Sequence, residues 1–151
     1  MEKLSLTHRL TGTEYNNLRE SVGWGLLNPE QAERGLAHSA FLAVIRDGAC
    51  AAAMGRALFD FGYTAYLCDI IVRPEYQGRG LGRQIMRDLM EQVERAAQPG
   101  DRVTFNLMAS TGKEPFYETL GFIRCLGPVG EGTGMLRRIT AGAVLDTPSQ
   151  P

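Results

Sequence analysis

The stretch that decides the fold is 70–82, IIVRPEYQGRGLG, an apolar segment followed by a glycine-rich turn. A β-rich apolar run leads into it from Ala65, and a helical pattern follows it from Arg83 to Ala97. Glycines let a ligand approach the backbone closely, because they carry no Cβ. The first turn of a helix has unpaired N–H groups and a partial positive charge, which together favour phosphate. The order strand, glycine-rich turn, helix therefore predicts an anion-binding site.

The spacing of residues around this turn excludes two well-known types of phosphate-binding site. Arg79, Arg83 and Arg87 are four residues apart, so we expect them on one helical face, where they add positive charge. No Gly-Lys-Ser/Thr follows, which excludes the P-loop, and the glycine spacing differs from the dinucleotide fingerprint.

The motif Gln-x-x-Gly-x-Gly at 77–82, with its lead-in 72–76, resembles the acyl-CoA pyrophosphate loop of the GCN5-related N-acetyltransferases. A second specific match is Pro-Phe-Tyr at 115–117 with Gly-Phe at 121–122. The resemblance extends over about 2–139, but in the first 40 residues it is only topological.

Length and composition limit the number of domains and the kinds of partner that the chain can have. The chain of 151 residues fits one domain, predicted at 1–140, with a flexible tail at 141–151. The net charge of −1 argues against nucleic-acid and anionic-membrane partners, and no apolar run reaches the ~20 residues that span a bilayer. The N-terminus lacks the plan of a signal peptide. Cys50, Cys68 and Cys125 have neither a disulfide nor a metal-ligand spacing. We therefore expect a cytoplasmic protein that holds no metal.

Periodicity and turn residues predict the order β-α-α-β-β-β-α-β-α-β-β. The resemblance implies an α/β fold: a mixed, mostly antiparallel sheet of six to seven strands flanked by helices, with a splayed parallel strand pair, the acyl-CoA N-acyltransferase fold. A crossover helix separates the strands at 63–72 and 102–109, so these two should be parallel. The predicted strands are 3–9, 40–46, 49–59, 63–72, 102–109, 122–126 and 135–139, with a loop at 127–134. The Thr-x-x-Glu capping box at 11–14 predicts a helix to about residue 22, and Asn28 caps a second helix at 29–37. The other predicted helices are 113–120 and 83–97, the latter with a core stripe of Leu81, Ile85, Leu89 and Val93.

For the cosubstrate acetyl-CoA, the resemblance implies that the pantetheine arm enters between the splayed strands and pairs with the main chain at 70–72. The pyrophosphate would then lie on the N–H groups of 77–83. Plain burial of the strand explains the apolar side chains at 70–72 equally well. The predicted contacts are Ile70, Ile71, Val72, Gln77, Gly78, Arg79, Gly80, Leu81, Gly82, Arg83, Ser110, Lys113 and Phe116.

Acyl transfer from a thioester to an amine needs a proton acceptor, a donor for the oxyanion and an acid for the sulfur. The resemblance implies Tyr117 as the acid, although an aromatic that only packs would give the same pattern. The N–H of Ile71 is the candidate oxyanion donor. Asp69, beside the predicted pantetheine site, is the first candidate base; Glu114, Glu118 and water are weaker ones.

Several residues depart from the family pattern or leave alternatives open. Ser110 stands where the family often has a cofactor-binding asparagine, and Asn106 either substitutes for it or faces the core. Trp24 either walls an amine pocket by cation–π attraction or simply packs. His8 and His38 have no visible partner for a metal or a triad, so we expect both to be structural.

The residues and the resemblance together predict an acetyl-CoA-dependent N-acetyltransferase that acts on a primary amine of a small molecule by direct attack on the thioester. One alternative is a non-catalytic acyl-CoA-binding module that senses CoA. Others are a protein N-terminal or lysine acetyltransferase and an unrelated nucleotide-binding protein. The acceptor remains open, and a homodimer is common in the family.

Overall fold

The computed structural model describes residues 3–125 and 133–142. Within them lie seven strands and four α-helices in the predicted order. The strands are β1 (Leu4–Thr7), β2 (Phe41–Asp47), β3 (Cys50–Phe59), β4 (Thr64–Val72), β5 (Arg102–Ala109), β6 (Ile123–Arg124) and β7 (Thr133–Thr140). The helices are α1 (Gly12–Ser21), α2 (Pro29–Ala37), α3 (Leu81–Ala96) and α4 (Glu114–Glu118).

The first two helices begin where the sequence predicts. The Thr11 side chain accepts from the Glu14 amide while the Glu14 carboxylate accepts from the Thr11 amide, which is the predicted capping box. Asn28 caps α2 through its side chain, and Pro29 occupies the first helical position.

The strands form one mixed sheet in the order β1-β2-β3-β4-β5-β7-β6. The predicted parallel pair is confirmed: β4 and β5 pair at their amino-terminal ends, from Thr64 opposite Thr104 to Tyr66 opposite Asn106. β5 pairs antiparallel with β7 along its whole length, and the β2–β3 hairpin turns at Gly48 with a φ of +57°.

The chain divides into two compact units, residues 1–58 with 67–92 and residues 59–66 with 93–151. In the first unit, α3 packs on the sheet directly over Gly55. A Cβ added there would lie 2.6 Å from Ile85, 2.8 Å from Ile70 and 2.9 Å from Leu89. The missing side chain therefore lets α3 approach β3 and β4 closely. The predicted core stripe of α3 is buried: Leu81, Ile85, Leu89 and Val93.

The second unit also buries apolar side chains, from β5, β7 and the segment after α4. Its buried members include Val103, Phe105, Leu107, Phe122 and Met135.

Two predictions near the carboxyl-terminal end differ from the structure. β7 begins at Thr133, inside the predicted loop 127–134, because its ladder with β5 extends to Ala109. The end of the predicted strand 122–126 and the rest of that loop lie outside the described residues. Ala141, predicted as the start of a loose tail, is buried: its amide donates to Asp101 O at 2.7 Å, and its carbonyl accepts from Gly100 N at 2.8 Å. Residues 143–151 lie outside the described part.

Where the structure describes the chain, no helix combines the length and apolar character needed to cross a bilayer.

Candidate active site

The glycine-rich loop joins the end of β4 to the start of α3. Gly78 and Gly80 have φ values of +77° and +79°, a left-handed conformation that other residues rarely adopt. A Cβ at either position would meet nothing within 4 Å, so the backbone conformation, not crowding, requires these glycines. Residues 77–80 are exposed and α3 begins at Leu81, where first-turn amides have no intrahelical acceptor. The loop backbone is therefore accessible at the start of the helix, although the Gln77 amide already donates to Pro74 O at 3.2 Å.

A turn of 3₁₀ helix at Pro74–Tyr76, which the sequence analysis did not predict, leads into this loop. Arg73 ties the turn to β3: its amide donates to Ala52 O at 3.0 Å and its Nε to Ala51 O at 2.7 Å. The Tyr76 hydroxyl donates to Asp47 Oδ2 at 2.8 Å. The base of the loop is therefore held by the β2–β3 hairpin.

The predicted face of three helical arginines is wrong. Arg79 precedes α3 and lies between the two left-handed glycines, so it does not share the helical spacing of Arg83 and Arg87. Its guanidinium stacks over the Tyr76 ring at 5.3 Å and donates to Glu75 O at 3.3 Å. Arg79 is nevertheless exposed beside the glycines, so its positive charge stays near the loop.

Asp69, the candidate base, has a left-handed backbone inside β4, with φ of +53°. This conformation is uncommon for residues other than glycine, and backbone strain of this kind concentrates at functional sites. Its Oδ2 accepts hydrogen bonds from the Tyr15 hydroxyl and from Arg56 Nε, the latter at 2.7 Å. Arg19 Nη1 stands 4.0 Å from Oδ1. Neither this conformation nor these partners, which come from α1 and β3, were predicted from the sequence.

The two side chains that follow Asp69 point to opposite faces of the sheet. Ile71 is 1% exposed and belongs to a core cluster with Tyr15 and Leu18. Ile70 points to the opposite face, because it lies beside Gly55 under α3. Both side chains are thus used in packing.

Two titratable groups beside Asp69, the Tyr15 hydroxyl and the Cys68 thiol, are neutral. Burial, followed by the hydrogen bond to Asp69, raises the pKa of Tyr15 to about 12. Burial raises the pKa of the neighbouring Cys68 thiol to about 11. Tyr15 is therefore a hydrogen-bond donor at neutral pH and Cys68 a protonated thiol.

Trp24, a candidate pocket wall, is 37% exposed. The Arg19 guanidinium lies 5.6 Å from the centre of the Trp24 ring and 5.6 Å from that of Tyr15. Arg19 Nε donates to Gly25 O at 2.8 Å, which fixes it against the turn after α1. A cation of the protein itself already contacts the Trp24 ring.

Tyr117, the candidate acid, belongs to α4 in the second unit. Its ring meets Phe116 at 4.9 Å and Phe122 at 6.2 Å, both edge-on. Burial raises the pKa of its hydroxyl to about 12, so the group is protonated at neutral pH. Among the described residues, none forms a hydrogen bond with that hydroxyl.

Two predicted cofactor contacts, Ser110 and Lys113, are exposed in the turn before α4, where Lys113 N donates to Ser110 O at 2.9 Å. Glu114 is 8% exposed and accepts from Gly112 N at 2.8 Å and from Thr133 Oγ1 at 2.9 Å. Its carboxylate therefore braces this turn.

Two further polar residues in the second unit find partners within it. Glu118 forms an exposed ion pair with Arg124 at 2.6 Å. Asn106 donates its amide N–H groups to Ala65 O and Thr104 O, each at 3.3 Å. These hydrogen bonds tie Asn106 to backbone carbonyls of β4 and β5.

The two histidines are held by polar partners. His8 Nε2 lies 3.0 Å from Asp88 Oδ2 on α3, a partner 80 residues away that no local sequence pattern reveals. His38 Nδ1 lies 2.9 Å from Arg34 O. No group of three or more His, Cys, Asp or Glu side chains in 3–125 and 133–142 is arranged to hold a metal ion.

The predicted site residues fall into two groups. The first unit holds Asp69, the segment 70–72 and the loop 77–83, and the second holds Ser110, Lys113, Phe116 and Tyr117.

Comparison with known proteins gives consistent matches. Residues 20–137 match the family described as the acetyltransferase (GNAT) domain. An uncharacterized N-acetyltransferase, ycf52, from Porphyra purpurea is 30% identical over 125 residues, covering 80% of this chain and 70% of that protein. The chloroplastic GCN5-related N-acetyltransferase 2 of Arabidopsis thaliana is 39% identical over 69 residues, 46% of this chain and 25% of its own. A probable acetyltransferase of unknown function from meticillin-resistant Staphylococcus aureus has a TM-score of 0.73 at 27% identity, covering 86% and 96% of the two chains.

Proposed function

Because the chain belongs to the GNAT family of N-acetyltransferases, we propose that it moves the acetyl group of acetyl-CoA onto a primary amine of a small molecule. The amine nitrogen attacks the thioester carbonyl, the C–N bond forms and the C–S bond breaks. One proton leaves the amine, and one is delivered to the CoA sulfur.

The observation that carries this proposal is the exposed loop at the start of α3, with its two left-handed glycines. Backbone N–H groups at a helix start suit a diphosphate, since they combine hydrogen-bond donors with a partial positive charge. The amides of 77–83 are the proposed donors, and the exposed Arg79 adds a full charge.

The proposed contact with the pantetheine arm uses the main chain of 70–72. An extended ligand can pair with backbone groups in the manner of an added strand. The side chains of Ile70 and Ile71 are engaged in packing, so the proposed contact uses main-chain atoms alone. Ser110, Lys113 and Phe116 are proposed as further cofactor contacts on family resemblance.

Three groups are proposed to carry the chemistry. Tyr117, protonated and without a protein partner among the described residues, delivers a proton to the sulfur. The N–H of Ile71 donates to the oxyanion. Asp69 takes the amine proton on Oδ1, since Oδ2 already accepts from Tyr15 and Arg56. Water is the alternative acceptor.

Incubation of the purified protein with acetyl-CoA and a panel of amines tests the proposal. The panel contains amino acids, amino sugars, polyamines and arylalkylamines, with peptides that offer an N-terminus or a lysine. We expect amine-dependent release of CoA thiol and an acetylated small molecule by mass spectrometry.

Each other outcome of that screen supports a different function. CoA binding without acetylation of any acceptor supports the non-catalytic sensor. Acetylation of peptides alone identifies a protein acetyltransferase, and displacement of CoA by ATP or NAD indicates a general nucleotide-binding protein.

We further propose that the reaction takes place in the cytoplasm without a metal, nucleic-acid or membrane partner, and that the chain forms a homodimer. Size-exclusion chromatography with light scattering measures the molar mass of the purified protein and so its oligomeric state.

A further inference from the structure

A group of five side chains in the first unit includes the carboxylate of Asp69, and we call it the Asp69 cluster. It contains two guanidinium groups and one carboxylate, and its tyrosine is neutral. The cluster therefore carries one net positive charge. Its charged side chains are only 15–18% exposed, so water compensates that charge poorly. Its members are Tyr15, Arg19, Trp24, Arg56 and Asp69.

One of the two arginines is used within the fold. Arg56 Nε donates to Asp69 at 2.7 Å, and its Nη1 donates to Ser39 Oγ at 3.1 Å and to Gly35 O at 3.3 Å. Arg56 thus joins the end of α2 to β4 and neutralises the carboxylate.

The second arginine is held in place at ion-pair distance from Asp69, without a hydrogen bond to that carboxylate. Arg19 is anchored through Nε to Gly25 O, and its guanidinium lies against the rings of Tyr15 and Trp24. Its Nη1 stands 4.0 Å from Asp69 Oδ1, beyond hydrogen-bond length. Among the described residues, no carboxylate lies within hydrogen-bond distance of its terminal nitrogens. A preoriented guanidinium in this state suits a planar anion, which it can bind with two parallel hydrogen bonds.

Building on the proposed acetyltransferase activity, we infer that Arg19 binds a carboxylate of the acceptor, so the preferred substrates are small amines with a carboxylate close to the amino group. Arg19 Nη1 and Asp69 Oδ1 present opposite charges 4.0 Å apart. That pair is complementary to the carboxylate and ammonium of an amino acid. Polyamines, which carry only positive charge, are disfavoured by the net charge of the cluster.

A matched acceptor series tests this inference in the wild-type protein. The series comprises an amino acid, its α-carboxamide and the amine that lacks the carboxylate, for example tyrosine, tyrosinamide and tyramine. We expect kcat/KM for the acid to exceed that for the amide by about tenfold or more, the value of one charge-assisted contact. Equal or higher kcat/KM for the amide and the amine overturns the inference while leaving the acetyltransferase activity established.

Variants locate the effect at Arg19. In Arg19→Gln the ratio of kcat/KM for acid and amide should fall toward one, and Arg19→Lys should keep part of it, because a lysine retains charge but not the planar fork. Arg9→Gln removes an exposed arginine of the same unit and should leave the ratio unchanged. A ratio unaffected in Arg19→Gln contradicts the inference. The unfolding midpoint of each variant shows whether it is folded.

Binding separates this inference from the activity on which it rests. If no acceptor is acetylated, the proposed function fails. Calorimetric titration of the acid and the amide into the CoA-saturated protein then still decides the role of Arg19. Tighter binding of the acid, lost in Arg19→Gln, supports it, and equal or undetectable binding of both overturns it.

Discussion

Arg56 Nε lies 2.7 Å from Asp69 Oδ2, and Asp69 holds a φ of +53° within β4. The ion pair and the left-handed backbone occur at the same residue, directly before the segment 70–72. An unusual backbone conformation persists only where its surroundings enforce it, and such positions concentrate at functional sites. Here the enforcing partners are Arg56 and Tyr15. The carboxylate is therefore both part of the proposed chemistry and part of the fold.

Substitutions at Asp69 should separate these two contributions. Asparagine tolerates the left-handed conformation, whereas alanine does not, so Asp69→Ala should be less stable than Asp69→Asn by about 1 kcal/mol. Asp69→Asn should itself be less stable than wild type by about 1–3 kcal/mol, because it leaves Arg56 without a charged partner. Urea denaturation measures both differences. A wild-type stability of Asp69→Asn would contradict a structural role for the ion pair.

The acetylation rates of the same variants address the proposed base. We expect Asp69→Asn to lower kcat while CoA affinity stays within about twofold, since an amide cannot accept the amine proton. An unchanged kcat in Asp69→Asn would indicate that water, not Asp69, accepts the amine proton.

The loop glycines give a second prediction. Gly80→Asp should weaken CoA binding at least about tenfold, since a carboxylate would enter the exposed loop where a diphosphate is proposed to bind. The fold should be retained at a cost of about 1–2 kcal/mol, because a Cβ at Gly80 meets nothing within 4 Å but the left-handed backbone strains any side chain there. Gly100→Asp is the matched control: Gly100 has a φ of +91° and equally open surroundings, but lies in the other unit. Calorimetry measures both affinities, and equal losses at the two positions would exclude a specific role for the loop.

Local signals predicted much of the fold. The capping box at Thr11, the cap at Asn28 and the buried apolar face of α3 each depend on residues that are close together in the sequence. Each could therefore be predicted from a local pattern. The parallel β4–β5 pair followed from its crossover helix. The glycine spacing indicated the loop for the same reason.

The surroundings of Asp69 were not predictable in the same way. Its partners Tyr15, Arg19 and Arg56 come from α1 and β3, between 13 and 54 residues away, and no local pattern joins them. The pair of His8 with Asp88 escaped prediction for the same reason. Such contacts depend on how the strands are ordered in the sheet, which the sequence specifies only through the whole fold.

Tyr117 gives a third prediction. Tyr117→Phe should lower kcat by about a hundredfold if its hydroxyl protonates the leaving thiolate, while CoA affinity changes less than about twofold. Because the pKa of Tyr117 is raised to about 12, wild-type kcat should show no decline from its ionisation up to about pH 10. Tyr63→Phe, at an exposed tyrosine of the same unit, is the control. Equal turnover of Tyr117→Phe and wild type would leave the ring a packing role alone.

The Glu14–Arg46 ion pair, 2.7 Å long, gives a prediction about stability and pH. The Arg46 guanidinium, together with the hydrogen bond from Thr11, lowers the pKa of Glu14 from 4.5 to about 2. At a pH between these two pKa values, Glu14 therefore binds a proton more readily in the unfolded chain than in the folded one. The contribution of this carboxylate is complete above about pH 4.5 and is lost as the pH falls toward 2.

Glu14→Gln isolates that contribution, because glutamine also fits the capping box but carries no charge. The free energy of unfolding should be lower in the variant than in wild type at pH 6, and the difference should shrink steadily between pH 4.5 and pH 2. Denaturant titrations at a series of pH values measure it. Glu118→Gln, at the exposed pair with Arg124, should change stability little at pH 6, since surface ion pairs contribute at most about 1 kcal/mol. A Glu14→Gln difference that stayed constant with pH would show that the loss comes from packing or capping rather than from charge.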